Sequence, residues 1–443
     1  METRLIFGTD GIRGKVSPDA ISELGAYELG SAVGSLILEK NSNPKVVLGR
    51  DTRESGKMLS TAMTNGLCKV GVNVIEAGII PSPAIAYMTK LLRANMGIVI
   101  SASHNIYTDN GFKFFDFDGT KINQDTEDKI EQRLSNKFLR NSIKQGSVKV
   151  YNDAHIEYVN FCESCFSEDL LMDGLKVVLD AANGASYHCL GRVFSELGAD
   201  IVEIGNKPNG RNINDQVGSL FPEQLSKKIF ETSSDIGIAL DGDGDRVLVA
   251  DSKGKVYQGD ELIYAIAKSR IREHGLEYVK GVVGTLMSNL ALEKIIINSG
   301  LEFCRTKVGD RFIFQKLQER GWSLGGETSG HILLTDIHTT GDGIITALKI
   351  VEAMIENGKS IDSLIEGLEL FPQVMVNVAI KSGCNWAADG KFEKARTEVI
   401  NKLGKDGRIL VRPSGTEPII RIMVESKDRV LSTQSANYLA SFF

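Results

Sequence analysis

Cysteine is scarce and unpatterned in this sequence. The six that occur (Cys68, Cys162, Cys165, Cys189, Cys304 and Cys384) are scattered through 443 residues with none of the spacing of a disulfide framework, which points to a reducing compartment. Cys162 and Cys165 form a single CxxC in a stretch of helical character, and with no second CxxC and no histidine pair to complete a zinc site they read as structural. No apolar run reaches the roughly 18 residues of a membrane span, and Met1-Glu2-Thr3-Arg4-Leu5 lacks the apolar segment of a secretory leader. The expected location is the cytoplasm. Nor is there an excess of positive charge: the net charge is -6, so nucleic acid gains no support, and an anionic substrate would have to be held by local arginines. The absence of a P-loop and of a Gly-rich nucleotide fingerprint disfavours a kinase. What remains, 42% hydrophobic and 24% charged residues, is the balance of a soluble globular enzyme, with length for about three domains at roughly 150 residues each.

The chain is organised around Gly97-Ile98-Val99-Ile100-Ser101-Ala102-Ser103-His104-Asn105. Its aliphatic start predicts a buried strand, and its polar tail then falls in the loop leaving the sheet, where α/β proteins place their chemistry. Ser103 is the candidate nucleophile. A second apolar run, Ile236 to Leu240, ends in Asp241-Gly242-Asp243-Gly244-Asp245-Arg246. Three carboxylates separated only by glycines repel one another unless a cation sits among them, and because the spacing is not that of an EF-hand, magnesium is preferred to calcium.

Other stretches carry weaker signals. Phe7-Gly8-Thr9-Asp10-Gly11-Ile12-Arg13-Gly14 places Arg13 on a tight glycine-rich loop. A helix is predicted from about Ala20 to Lys40, then a strand at Val46 to Leu48 that ends in Arg50-Asp51-Thr52-Arg53. These arginines either bind an anion or pair with Asp51 and Glu54. Asp109-Asn110-Gly111 reads as a turn before an apolar strand in which Lys113 is flanked by phenylalanines. Desolvation there would lower the pKa of the amine and suit it to proton transfer, unless Lys113 is the outward residue of an alternating strand.

A repeat is visible in the architecture. Strands at Val46–Leu48, Val177–Leu179 and Val282–Val283 are each followed, roughly 40 to 60 residues later, by a strand ending in an unusual loop: Ser103-His104-Asn105, then Asp241 to Arg246, then Gly326-Glu327-Thr328-Ser329-Gly330-His331. Three α/β units, each delivering one loop, account for this pattern. After Phe371-Pro372 the rhythm changes to a small α+β domain, whose loop Arg412-Pro413-Ser414-Gly415-Thr416-Glu417-Pro418, with Arg421 in the next strand, offers donors suited to a phosphate dianion.

The serine loop, the aspartate loop, Gly326 to His331 and Arg412 to Pro418, in this order and spacing, resemble the α-D-phosphohexomutase superfamily, and within it the bacterial branch that acts on glucosamine phosphates. The resemblance covers essentially the whole chain. It implies three related mixed α/β domains plus a smaller C-terminal α+β domain around a central cleft, with boundaries at 1–152, 153–252, 253–370 and 371–443. It implies that Ser103 carries a phosphate needed for activity and that this phosphate, with Asp241, Asp243 and Asp245, holds one Mg2+ per chain. Glu327 and Ser329 would bind sugar hydroxyls, and Arg412, Ser414, Gly415, Thr416 and Arg421 the phosphate not being transferred. Lys113, Arg13, Arg246 and His331 match positions used for proton transfer or phosphate contact. The implied reaction interconverts glucosamine 6-phosphate and glucosamine 1-phosphate, with hexosamine phosphates and a second copy of the chain as expected partners, and no nucleic acid or membrane. The alternatives are a mutase of mannose or glucose phosphates and a non-catalytic sugar-phosphate sensor. Three positions depart from the usual pattern: Ile106 stands where relatives have proline, Thr328 where many have glutamine, and Val217 where cysteine is common.

Overall fold

In the computed structural model, which describes residues 5–8, 10–135, 145–379, 390–413 and 419–443, the apolar runs at 96–100 and 236–240 are strands buried along their whole length. Both lie inside a sheet with cover on each face, which is why they read as continuous hydrophobic runs rather than alternating ones. The first sheet holds β1 (Ile12–Lys15), β2 (Lys45–Arg50), β3 (Asn73–Ile79), β4 (Met96–Ile100), β5 (Asp109–Asp116) and β6 (Val148–Val150), in the order β1-β5-β4-β2-β3-β6. The second holds β7 (Lys176–Asp180), β8 (Asp200–Ile204), β9 (Ile236–Leu240), β10 (Val247–Asp251) and β11 (Val256–Tyr257), and the third β12 (Gly281–Thr285), β13 (Glu302–Thr306), β14 (Leu324–Gly326) and β15 (Ile332–Leu334).

All three share one four-stranded plan. In β5-β4-β2-β3, β10-β9-β7-β8 and β15-β14-β12-β13 the first neighbours are antiparallel and the next two pairs parallel. Each unusual loop is the connection between the inner parallel strand and its antiparallel neighbour: residues 101–108 after β4, 241–246 after β9 and 327–331 after β14. The repeat read from the sequence is therefore a repeat of topology, and the chemistry-bearing loops leave equivalent corners of three sheets.

Two local expectations shift. The first helix forms over Glu23–Ile37, started by Ser22, whose Oγ accepts from the Gly25 amide. The turn expected at 109–111 is already strand, because β1 pairs with β5 from Lys15 opposite Asp109 to Ile12 opposite Phe112.

One apolar core runs through all three sheets, from Val47 and Val99 through Val177 and Leu240 to Val282, Leu324 and Leu348. The outer face of the first sheet has its own core under the helices Glu23–Ile37 and Gly56–Lys69, with Leu29, Val33, Met63 and Leu67 buried. The C-terminal unit stands apart. Its antiparallel sheet, β16 (Gln373–Ala379), β18 (Ile419–Ser426) and β17 (Gly407–Pro413), packs Ile420, Ile422 and Val424 against Phe392, Val399 and Leu439. β16 alternates exposed and half-buried residues, as a strand covered on one face must.

This unit is tied to the third by polar contacts. Arg408 donates to the carbonyls of Leu286 (2.9 Å) and Ser288 (2.6 Å), and Glu425 accepts from the Leu290 amide at 2.7 Å, capping the helix Leu290–Asn298. Asn289 bonds both the N–H and the C=O of Phe371 at 3.0 Å, so the linker before Pro372 is anchored.

Candidate active site

The sheet ladder continues one residue past β4. The Ser101 amide still donates to the Gly111 carbonyl at 3.1 Å, which leaves Ser103 as the first hydroxyl free of strand pairing. Ser103 takes a left-handed backbone, φ +52, uncommon for a residue with a side chain and held only where the surroundings over-determine it. Its Oγ donates to Asp241 Oδ2 at 2.6 Å, so the corners of the first and second sheets meet at the two residues the sequence singled out.

Residues 241–245 of the aspartate loop are buried, with Arg246 half-buried at its end. Gly242 is required there: a Cβ would stand 2.7 Å from both the Ser103 carbonyl and the Asn214 amide nitrogen. Gly244, with φ +76, closes the turn. Asp241, Asp243 and Asp245 each bring one oxygen within 4.8 Å of the others, and burial, then the charges of Asp245 and Asp243, push the Asp241 carboxyl up to about 7. Asp243 Oδ1 is buried without a hydrogen-bond partner among the described residues, and Asp245 Oδ1 has only the His331 ring nitrogen near it, at 3.4 Å. Three hard oxygen donors, mutually repelling and partly unsatisfied, fit a hard divalent cation.

Lys113 reaches this cluster from β5. Its Nζ lies 2.6 Å from Asp243 Oδ2, 2.6 Å from Asp245 Oδ2 and 3.4 Å from Asp10 Oδ2. With 2% of its side chain exposed it is not the outward residue of an alternating strand. The pKa expectation from sequence is overturned. Burial does work against the charge, but Asp10, Asp243 and Asp245 outweigh it and hold the ammonium well above its ordinary value.

His331 comes from the corner of the third sheet. Its Nδ1 is 3.4 Å from Asp245 Oδ1 and its Nε2 3.2 Å from Asp310 Oδ2, and these carboxylates, against the effect of burial, hold its pKa up at about 10. Arg13 pairs with Asp10. The Arg246 amide donates to Asp241 Oδ1 at 3.1 Å, while its side chain, half-buried, feels Asp241, Asp245 and Glu327. Glu327 is held by the Gly309 amide, which donates to Oε1 at 2.9 Å. Ser329 is exposed, its Oγ 3.5 Å from Glu327 Oε2.

In the C-terminal unit Arg412 and Arg421 are opposite one another in the β17–β18 register. Directly paired residues of antiparallel strands share a face, so the two arginines stand side by side on the sheet. Ser414, Gly415 and Thr416 lie outside the described residues.

Family models in four consecutive pieces match the chain: phosphoglucomutase/phosphomannomutase α/β/α domain I over residues 4–141, domain II over 153–254, domain III over 258–371 and the C-terminal domain over 375–440. The phosphoglucosamine mutase of Leptothrix cholodnii is 46% identical over 99% of this chain and 98% of its own length, and that of Delftia acidovorans 45% identical over the same shares. The chain belongs to the phosphoglucomutase/phosphomannomutase family. Among solved structures, a phosphoglucomutase/phosphomannomutase family protein from Burkholderia thailandensis superposes with a TM-score of 0.84 at 25% identity, over 100% of this chain and 97% of that one.

Within this family member the site includes residues that motif reading passed over. Asp10 joins Arg13, Lys113 and Lys121. Lys121 also pairs with Asp310, tying the first sheet to the third. Ser82 donates to Asp243. Burial, then Arg246 and Arg13, push the His104 imidazole beside Ser103 down to about 4. Asp10 carried a usable signal in the opening glycine-rich loop. Lys121, Asp310 and Ser82 carried none, since their partners lie far along the chain.

Proposed function

We propose that this protein is a phosphoglucosamine mutase, interconverting glucosamine 6-phosphate and glucosamine 1-phosphate through phosphorylated Ser103 and a bisphosphate intermediate. The observation that carries this reading is the meeting of Ser103 Oγ with Asp241 in a buried three-aspartate cluster, 2.6 Å apart, in a chain whose curated relatives bear that name at 44–46% identity. In the first half-reaction a sugar hydroxyl attacks the phosphorus of phosphoserine, the P–Oγ bond breaks, and the proton of the attacking hydroxyl passes in net to Ser103 Oγ; in the second the Ser103 hydroxyl attacks the other phosphate of the bisphosphate, the P–O bond to the sugar breaks, and the sugar oxygen takes the proton, restoring phosphoserine. Arg13 and Arg246 face the cluster and suit the phosphoryl oxygens. Lys113 keeps its proton beside the carboxylates and contributes charge and hydrogen bonds rather than a free base. His331, an imidazolium between Asp245 and Asp310, supplies a second positive group.

Asp241, Asp243 and Asp245, with the phosphate on Ser103, would hold one Mg2+, which when bound neutralises charge on the phosphoryl group. Glu327 and Ser329 are assigned to sugar hydroxyls, and Arg412 with Arg421, joined by Ser414, Gly415 and Thr416, to the remote phosphate. We divide the chain at 152, 252 and 370, noting that β11 still pairs with β10 at 256–257. No helix among the described residues is long and apolar enough to cross a membrane; a cytoplasmic enzyme working on hexosamine phosphates, as a homodimer, is the expected setting. Coupled assays on glucosamine, glucose and mannose phosphates test the reading: preference for glucosamine phosphate supports it, preference for either other sugar reassigns the substrate, and no turnover on any of the three removes it.

A further inference from the structure

The side chain of Arg53 is buried completely, yet among the described residues it makes a single ion pair, with Asp51 Oδ2 at 2.8 Å. The rest of its guanidinium is spent on backbone carbonyls. Nη2 donates to Ser103 O (2.9 Å) and Asn105 O (2.8 Å), and Nη1 to Asp109 O (3.1 Å) and Ile106 O. A second donor reaches the same place from the second unit: Asn214 Nδ2 lies 2.9 Å from Ser103 O and 3.0 Å from Asn105 O. Each of these two carbonyls thus takes one bond from Arg53 and one from Asn214, filling both lone pairs. On the other side of the Ser103 Cα, its N–H donates to Ser101 Oγ at 2.9 Å, and that hydroxyl donates to Asp51 Oδ2 at 2.6 Å. The peptide groups flanking Ser103 are therefore held at both ends while its backbone stays in the left-handed region.

We propose that Arg53 and Asn214 are positioning residues for Ser103, locking the strained backbone from which Oγ is presented to Asp241 and to the phosphoryl group. Neither touches the reacting atoms. Asn214 couples the lock to the second unit, so the serine is set in register with the aspartate loop and not merely within its own sheet. The inference rests on the mutase reading above and extends it to groups whose partners, among the described residues, are backbone and Asp51.

The test uses the full chain with Arg53→Lys, which keeps a charge beside Asp51 but cannot span four carbonyls, and Asn214→Gly, which removes the amide while tolerating the left-handed backbone at that residue, φ +57. Folding is checked by circular dichroism and thermal melting. A misplacement of the reacting atom on the order of 1 Å costs up to about 100-fold, so each variant is expected to lose roughly 30- to 100-fold in kcat with KM within about 3-fold of parent. Phosphorylation of Ser103 by glucose 1,6-bisphosphate, followed by intact mass in single turnover, should slow by the same factor. Because both residues act on the same carbonyls, the double variant should lose less than the product of the single losses. Parental kcat in both variants, or a loss confined to KM or to melting temperature, overturns the proposal and leaves the pair as structural bracing. The phosphorylation readout needs no mutase turnover: a parent that takes phosphate on Ser103 but converts no sugar phosphate refutes the mutase reading, while the ratio of phosphorylation rates still decides on Arg53 and Asn214. A parent Ser103 that takes no phosphate overturns both.

Discussion

The serine loop after β4 and the Glu327–Ser329 loop after β14 leave equivalent corners of two related sheets, but at Ser103 the chain is buried and bonded on every side, whereas Ser329 is exposed and Glu327 half-buried. Ser103 has its N–H, its C=O and its Oγ all engaged. Glu327 is fixed through one oxygen by the Gly309 amide, and its other oxygen has Ser329 Oγ at 3.5 Å. The same contrast holds between the aspartate loop, packed within the core shared by three sheets, and the half-buried Arg412 and Arg421, which stand on a sheet with a core of its own. A mutase that turns its intermediate over needs this division: the reacting atoms must not move, and the groups that hold the sugar must accept it in two orientations. Substitutions in the fixed part should therefore strike kcat, and those in the open part KM.

The largest effect is expected at Ser103. Ser103→Ala removes the atom proposed to carry the phosphate, so mutase activity should fall by more than about 1,000-fold with the fold retained, and the protein should take up no phosphate from a bisphosphate donor. Full activity, or phosphate mapped only to Ser101, would break the assignment. Next comes the aspartate cluster. Asp243→Asn removes one of three charges and should raise the magnesium concentration needed for half-maximal activity by about 10- to 100-fold, and chelation with EDTA should silence the parent. A variant as active as its parent at limiting magnesium would show that the loop is merely acidic.

These two sites were legible in the sequence because their signals are local. An apolar run ending in small hydroxylated residues, and aspartates alternating with glycines, announce themselves within ten positions. The fold class followed from the same strands, and the threefold repeat from where they ended. What stayed hidden depends on partners far apart in the chain. Sequence alone leaves Arg53 as an anion ligand or a partner of Asp51 and Glu54; the fold keeps the Asp51 pair and adds backbone carbonyls of residues 103–109 that nothing local announced, and Asn214 gave no sign of reaching a loop more than 100 residues before it. Lys113 shows how local reading misleads: flanking phenylalanines imply a lowered pKa, but the fold delivers Asp10, Asp243 and Asp245 and reverses the direction. At Ile106, which stands where relatives have proline, the carbonyl is taken by Arg53, so the turn is stiffened from below.

In the open part the larger effect should come from Arg412. Losing a charge-assisted, bidentate phosphate contact of about 1.5 to 3 kcal/mol raises KM by roughly 10- to 100-fold. If this arginine retains the intermediate between its two transfers, Arg412→Ala should also release bisphosphate and make turnover depend on added glucose 1,6-bisphosphate, while Ser103 is still phosphorylated by that compound. Unchanged affinity for the monophosphate, with no bisphosphate released, would place Arg412 among residues that brace β17.

The smallest and most discriminating effect is expected at Glu327. In Glu327→Gln the amide oxygen can keep the bond from the Gly309 amide, which turns the NH2 group toward the substrate and replaces an acceptor with a donor. A sugar hydroxyl can reverse its role by giving up its proton position and accepting, so the loss should be near the low end for a charged hydrogen bond, about 10-fold in KM with kcat within about 3-fold. An ammonium has no lone pair and cannot reverse. If Glu327 reads only hydroxyls, glucosamine and glucose phosphates should therefore suffer alike. A loss for glucosamine 6-phosphate well beyond that for glucose 6-phosphate would mean that Glu327 faces the amine and sets the choice of sugar. A fall in kcat at unchanged KM for both substrates would break the contrast itself, because it would put Glu327 among the fixed groups that act on the transferring phosphate.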